Sequence, residues 1–277
     1  MQVSVGGMVF FDGSGAGDSV YLLTKISGWF DGTETRRDKT PRPQQHGSFA
    51  SQGYQSGRTI ALEMEVYTDT KEQQREALST LAALLADGGY STLTVEEDAT
   101  VWSISVGRDG EPSVNLDLYG RLASVRMQFW APDPLWWAAG TWEETAHPTA
   151  GDGVVWPLVW PLVWPGGGNP GRISLVNSGK APSSPVFQLV GGMGSAVITC
   201  VDTGARIGFE RAIPVGQTVE IDVASRRATQ GGNDVSRWLR YREWQDVPAG
   251  ATRRYQLAVT SPSGSPLLRG KVDSAWW

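Results

Sequence analysis

Apolar and polar side chains alternate at period two through most of the chain. Ile60, Leu62, Met64 and Val66 fall on one side and Glu63 and Glu65 on the other. Trp102, Ile104 and Val106 repeat the pattern, and Val125, Met127 and Phe129 alternate with Arg126, Gln128 and Trp130. This spacing puts one face of a strand in a core and the other toward solvent. The last of these strands has to stop at Ala131-Pro132-Asp133-Pro134, because proline has no N–H to give to a ladder. Farther on, short apolar segments at 173–176, 186–189, 196–201, 205–209, 219–223 and 255–260 are separated by turn residues such as Gly204, Gly216 and Pro248-Ala249-Gly250. That rhythm predicts a β-sandwich.

One segment has a different period. Leu78, Leu81, Leu84 and Leu85 recur at helical spacing, and Asp69 stands three residues before Glu72. The pattern predicts a capping box and a helix over 70–86, ended by Gly88-Gly89, with its leucine stripe packed on a sheet. The expected fold class is therefore mainly β with one α-helix.

Two stretches fit neither period. Residues 31–57 are polar and contain Arg36, Arg37, Lys39, Pro41, Arg42 and Pro43, which reads as a long loop, solvated or docking a partner. Residues 156–165 read WPLVWPLVWP and are followed by Gly166-Gly167-Gly168. Proline at every fourth position forbids a helix and a central strand, leaving an extended, polyproline-like connector with a flexible joint after it. These breaks predict a first domain over 1–150, a Trp-Pro-rich linker over 151–169 and a second domain over 170–277.

Length and composition agree with two β-rich domains: 277 residues, 40% hydrophobic and 19% charged, with 34 Gly, 16 Pro and 13 Trp. The formal net charge of −5 argues against a chain that grips nucleic acid through its phosphates. It also hides a split: residues 1–169 carry 11 basic and 21 acidic side chains, and residues 170–277 carry 13 basic and 8 acidic. The single Cys200 allows no internal disulfide and no cysteine-rich metal site, and a buried thiol is expected. The first residues, MQVSVGGMVFFDGSG, lack the basic and apolar regions of a secretory signal. The longest apolar run, 154–165, is broken by three prolines and is shorter than the roughly 18 residues a membrane span needs.

Candidate chemistry is sparse. His46 and His147 are the only histidines, and neither has metal-ligand spacing. Gly13-Ser14-Gly15-Ala16-Gly17 resembles a phosphate loop only in its glycines, since no Lys-Ser/Thr follows; it reads as a hairpin turn. No Gly-x-Ser-x-Gly elbow is present. Glu96-Glu97-Asp98 and Glu143-Glu144 are carboxylate clusters of the kind glycoside hydrolysis needs about 5–9 Å apart, but the first sits between two expected strands, where a charged turn is the plainer explanation. No catalytic residue, cofactor or metal ligand is assigned. Trp238, Tyr241 and Trp244 interleave with Arg237, Arg240 and Arg242, a pattern that suits stacking on sugars or bases and also suits plain Arg-on-Trp packing.

Four stretches carry a family resemblance. They are the strand entry Gly57-Arg58-Thr59-Ile60-Ala61-Leu62; the helix ending Leu78-Ser79-Thr80-Leu81; the run Met127-Gln128-Phe129-Trp130 into Ala131-Pro132-Asp133-Pro134-Leu135-Trp136-Trp137; and Val176-Asn177-Ser178-Gly179 with Ala181-Pro182 and Pro185. Their order and spacing resemble the distal tail (Dit) proteins of siphovirus-type bacteriophages over nearly the whole chain. The Trp-Pro repeat is similar to aromatic-Pro repeats in the linkers of some members, whereas the strongly aromatic linker and the Trp276-Trp277 end depart from the pattern.

The resemblance implies a non-enzymatic virion protein at the tail tip. Its first domains would form a hexameric ring, a hub or baseplate component, and galectin-like sandwiches would project outward. The ring would join the tail tube protein and the tape-measure end to the tail hub and tail-associated receptor-binding apparatus, with DNA passing through its lumen and no sequence-specific nucleic-acid binding. A closed ring needs two different complementary patches per protomer. Gly57, Arg58, Thr59, Ile60 and Leu62, with the loop before them, and Asp133, Pro134 and Trp136 are the candidates, and substitution of Arg58 is expected to weaken assembly more than folding. An acidic first domain would make the lumen repel phosphates. The rival reading is a carbohydrate-binding tail module that touches host surface glycan through Trp238, Tyr241 and Trp244.

Overall fold

The computed structural model describes residues 1–12, 21–116, 122–149, 160 and 168–277. The expected hairpin turn at 13–17 and the Trp-Pro repeat, apart from Trp160, lie outside the described residues. The chain forms two compact units, Met1–Ala138 with Trp277, and Ala139–Trp276. Residues 139–149, expected with the first domain, group with the second, because β-strand Glu143–Ala146 pairs with the strand Leu267–Lys271.

In the first unit seven strands close a barrel. They are β1 (Gln2–Val5), β2 (Met8–Phe11), β3 (Tyr21–Ser27), β4 (Arg58–Tyr67), β5 (Tyr90–Glu97), β6 (Thr100–Arg108) and β7 (Leu122–Ala131). The order runs β7-β4-β3-β2-β1-β5-β6 and returns to β7 through the pairs Gly107 with Trp130 and Arg108 with Phe129. All these pairings are antiparallel except β2 with β3, which meet in parallel at Phe11 and Leu22. The period-two residues fill the interior: Ile60, Leu62, Met64 and Val66 of β4, Ile104 and Val106 of β6, and Val125, Met127 and Phe129 of β7 are buried. Each such side chain contributes about 1.5–3 kcal/mol. Strand β7 ends at Ala131, where Pro132 begins.

The helix, α1, spans Lys71–Ala83. Its cap lies one residue later than expected: Thr70 is extended, its hydroxyl accepts from the Gln73 N–H, and the Gln73 side chain accepts from the Thr70 N–H. Gln74, Ala77, Leu81 and Leu84 are buried, while Leu78 and Leu85 are half-buried. The helix stops before the expected end because Leu84 is already extended and Leu85 takes a positive φ. Arg108 of β6 donates to the carbonyls of Ala82 and Leu84, filling orphan acceptors at the helix C-terminus. Thr70→Ala is expected to cost about 1 kcal/mol through loss of the cap, read as a lower denaturant midpoint with an unchanged slope.

The second unit is a two-sheet sandwich. One sheet orders the strands Glu143–Ala146, Leu267–Lys271, Val186–Val190, Thr218–Asp222, Arg227–Gln230 and Asn233–Asp234; the other orders Arg172–Asn177, Ala251–Thr260, Ser195–Cys200, Arg206–Phe209 and Leu239–Arg240. Their inner faces share one core, with Phe187, Leu189, Val219, Ile221 and Leu268 from the first and Ile173, Leu175, Ile198, Phe209 and Leu257 from the second. The six strands read from the sequence are present, and Cys200 is buried and free. Gly204 and Gly216 both stand at φ +80, the left-handed region that their turns require.

Candidate functional site

The strand entry Gly57-Arg58 is a junction inside the first unit. Arg58 is 2% exposed. Its Nη1 donates to the carbonyls of Gly28 (2.9 Å), Trp29 (2.6 Å) and Asp31 (2.8 Å), and its Nε donates to the carbonyl of Pro134 (3.0 Å). One guanidinium thus ties the turn after β3 to the turn after β7. Burial lowers its pKa from the ordinary guanidinium value, and the charge of Asp31 acts in the opposite direction. The approach is close enough that a Cβ on Gly57 would stand 2.7 Å from both the Ala131 carbonyl oxygen and Trp130 Nε1. On Gly28, at φ +78, a Cβ would collide with the Thr59 carbonyl.

Trp136 is buried over the same junction. Its ring lies 5.3 Å from that of Trp29, 5.5 Å from Trp102 and 6.3 Å from Phe30, and its Nε1 donates to the Trp277 carbonyl. Asp133 is exposed, and its carboxylate accepts from the Leu135 N–H to form the turn. Arg58, Ile60, Leu62 and Trp136 are therefore interior residues. Arg58 gives its Nε and Nη1 donors to carbonyls of its own chain, which supports a folding role beside the expected one in assembly. Thr59 and Asp133 are exposed, with Gly57 and Pro134 half-buried. Trp29 and Phe30, which the sequence reading did not single out, complete the cluster; the only cue to them was the aromatic pair after Gly28.

Residues 31–57, expected as a loop, form a β-arm. Strands Thr35–Arg36 and Tyr54–Gln55 pair at its base, and Lys39–Pro41 and Ser48–Ala50 pair farther out. The ribbon is closed at its tip by the Arg42 N–H on the Gly47 carbonyl. Every residue of 34–52 is exposed. The arm carries Arg36, Arg37, Lys39 and Arg42 against Asp31, Glu34 and Asp38. It also presents Phe49, with the Arg42 guanidinium 5.3 Å above its ring, and Tyr54.

In the second unit, Trp238 and Tyr241 are partly exposed, at 37% and 42%. Trp244 packs against the sandwich core and offers no comparable face. Arg211 and Arg237 lie over the Trp238 ring at 5.7 and 5.3 Å, and Arg206 lies over Tyr241 at 4.2 Å. Arg206 and Arg211 stand far from the aromatic run in sequence, and only pairing of the Arg206–Phe209 strand with Leu239–Arg240 brings them near.

The carboxylate clusters belong to different units. Glu97 leads into a hairpin turn where Asp98 and Ala99 have positive φ, and Glu144 pairs with Arg269 at 2.9 Å. Among the described residues no group of three or more His, Cys, Asp or Glu is placed to hold a metal ion, and no helix is long and apolar enough to cross a membrane.

No family model matches the chain, and no curated protein does either. Solved structures do. The crystal structure of the Dit (gp 19.1) protein of phage SPP1, described as a paradigm of the hub adsorption apparatus in phages infecting Gram-positive hosts, superposes with a TM-score of 0.70 at 12% identity. That match covers 100% of this chain and 99% of that one. A chain of the phage P2 baseplate in its activated conformation with Ca matches at a TM-score of 0.54 and 11% identity over 99% and 97% of the two chains. A chain of the corresponding structure with Sr matches at 0.52 and 10% over 97% of each. The chain has a Dit-like fold, mainly β with one helix.

Proposed function

We propose that the chain is a distal tail protein, a structural hub of a phage tail tip. The observation that carries this reading is that both units, in their order and over 100% of the chain, superpose on the SPP1 Dit protein at a TM-score of 0.70. In this reading the first unit forms a hexameric ring, the second projects from it as a galectin-like sandwich, and residues 151–169 link them. The ring joins the tail tube and tape-measure end to the host-recognition apparatus, and no catalytic role is assigned.

The exposed β-arm and the half-open Gly57-Thr59 and Asp133-Pro134 edges at its base supply one patch of the heterologous contact; the barrel wall of the next protomer supplies the other. The arm carries four basic and three acidic side chains, whereas residues 1–169 as a whole carry 11 basic and 21 acidic ones. Opposite charge favours this pairing and guides its register. The acidic surplus left around the lumen keeps DNA from sticking as it passes.

Negative-stain electron microscopy with light scattering for mass tests the reading. Closed sixfold rings are the expected result, from the chain alone at high concentration or with its tail tube protein. A chain that remains monomeric under both conditions overturns it.

A further inference from the structure

Four arginines of the second unit lie over two rings. Arg206 and Arg240 lie over Tyr241, Arg211 and Arg237 over Trp238, and Arg242 donates to the carbonyls of Leu239 and Ser236. The charge of Arg240 is met by Glu210, whose two carboxylate oxygens both accept from it at 2.8 Å. Arg206, Arg211 and Arg237 are exposed and have no carboxylate within ion-pair distance among the described residues; Glu243 accepts from the Arg206 backbone N–H rather than from its guanidinium. A guanidinium laid over a ring is held extended with its N–H edge free. The rings therefore act as props that present cations.

Arg211 also forms one wall of an open cleft of about 620 Å³, within the size range of small-molecule sites. Gln217, Thr218, Gln230 and Asn233 line it too, with Gly216 and Gly231 adding no side chain. Gln230 Nε2 donates to Gln217 Oε1 at 2.7 Å, which fixes the orientation of both amides. The cleft offers one cation and many neutral donors and acceptors, and Val235 is its one apolar lining residue. That is the complement of a ligand with a negative group and many hydroxyls.

We propose that this cleft, with Arg211 and Arg237, binds an anionic polysaccharide. The acid groups meet the two guanidiniums in charge-assisted hydrogen bonds, and the sugar hydroxyls meet the amides of Gln217, Gln230 and Asn233. Single-stranded nucleic acid suits the surface less well, because base stacking needs open ring faces and each ring here already carries two guanidiniums. The site lies wholly in the second unit, so it does not depend on whether the first unit closes a ring.

The test is affinity electrophoresis of the full chain at 0.15 M salt, about the ionic strength at which charges beyond roughly 8 Å are screened. The probes are dextran sulfate, uncharged dextran of the same length, and a single-stranded DNA oligomer as competitor. Dextran sulfate is expected to retard the chain and dextran is not. The double variant Arg211→Ala/Arg237→Ala should bind at least about tenfold more weakly, a loss of about 1.4 kcal/mol. Arg226→Ala/Arg227→Ala removes the same charge elsewhere on the unit and should bind as the parent does; thermal unfolding checks that both variants are folded. Gln230→Ala should weaken binding without changing net charge. Equal losses in the two double variants, absence of retardation, or DNA competing as well as dextran sulfate would each overturn the proposal.

Discussion

Arg58→Ala is expected to destabilise the first unit more than it loosens contacts between copies. The substitution removes the partner of the carbonyls of Gly28, Trp29, Asp31 and Pro134, the Trp29 bond being buried and the other three part-buried, and an unsatisfied buried acceptor costs about 1–3 kcal/mol. These losses share one side chain and do not add fully, so the expected total is about 3–5 kcal/mol. That is a large part of the 5–15 kcal/mol typical of a native protein. Arg58→Lys keeps the charge but has a single nitrogen, which cannot reach both turns as the Nε and Nη1 of the planar fork do; it should recover only part of the loss. Hydrogen exchange read by mass spectrometry separates the alternatives. Faster exchange throughout 21–67 and 122–138 in the isolated variant supports the folding role, whereas parent-like exchange together with weaker self-association restores the assembly role.

Asn177 should matter as much to the second unit. It is fully buried, at 0% exposure. Its Nδ2 donates to the carbonyls of Ala181 (2.8 Å), Val247 (3.1 Å) and Pro248 (3.3 Å), while its Oδ1 accepts from the N–H groups of Gly179 (3.0 Å) and Ala275 (3.3 Å). Three separate segments therefore close on one amide. Asn177→Leu removes every one of these bonds and is expected to cost about 3 kcal/mol or more.

Asn177→Asp keeps the shape but turns an acceptor toward carbonyls that need a donor. Only the protonated acid can donate there, so burial and the facing carbonyls raise its folded-state pKa above the unfolded value of about 3.9. A raised folded pKa gives stability that is present below the unfolded pKa and lost as pH rises through the folded one. The Asp variant should thus be most stable in acid and fall away toward neutrality, opposite in sign to Asp202, whose pKa is lowered by its hydrogen bond from Arg254. Denaturant midpoints of parent and variant from pH 4 to 8 check this, and parallel curves would contradict it.

Much of the fold was legible because burial imposes its period on the chain. Ile60, Leu62, Met64 and Val66 alternate because β4 has one face in the barrel and one outside, and the six sandwich strands stand out for the same reason. Strands that escaped notice include Tyr21–Ser27, whose pairing register with β4 shifts between Leu23 and Lys25, Glu143–Ala146, where Thr145 is the one buried residue, and Leu267–Lys271, where Gly270 takes one of the two buried positions, so none shows an apolar alternation. The β-arm escaped because all its residues between 34 and 52 face solvent; with neither face buried, no alternation is selected, and only the cross-ribbon hydrogen bonds define it. Residues 139–149 were drawn to the first domain by sequence proximity, whereas strand pairing assigns Glu143–Ala146 to the second.

At the candidate sites the division is sharper. Residue types and local order sufficed to mark the Pro-rich turn at 132–134 and the Arg-interleaved aromatics, whereas Gly57-Arg58 was marked by the family resemblance. Whether a marked side chain points outward is decided by partners distant in sequence. Arg58 turns inward because carbonyls some 30 and 76 positions away converge on it. Trp136 is buried because Trp29 and Trp102 meet it, and Arg206 joins Tyr241 through a cross-strand pairing. Periodicity and turn chemistry are local properties that the sequence carries by itself. Satisfaction of buried donors and acceptors is a property of the assembled chain, and it alone separated the residues that hold this fold from those it leaves free to bind.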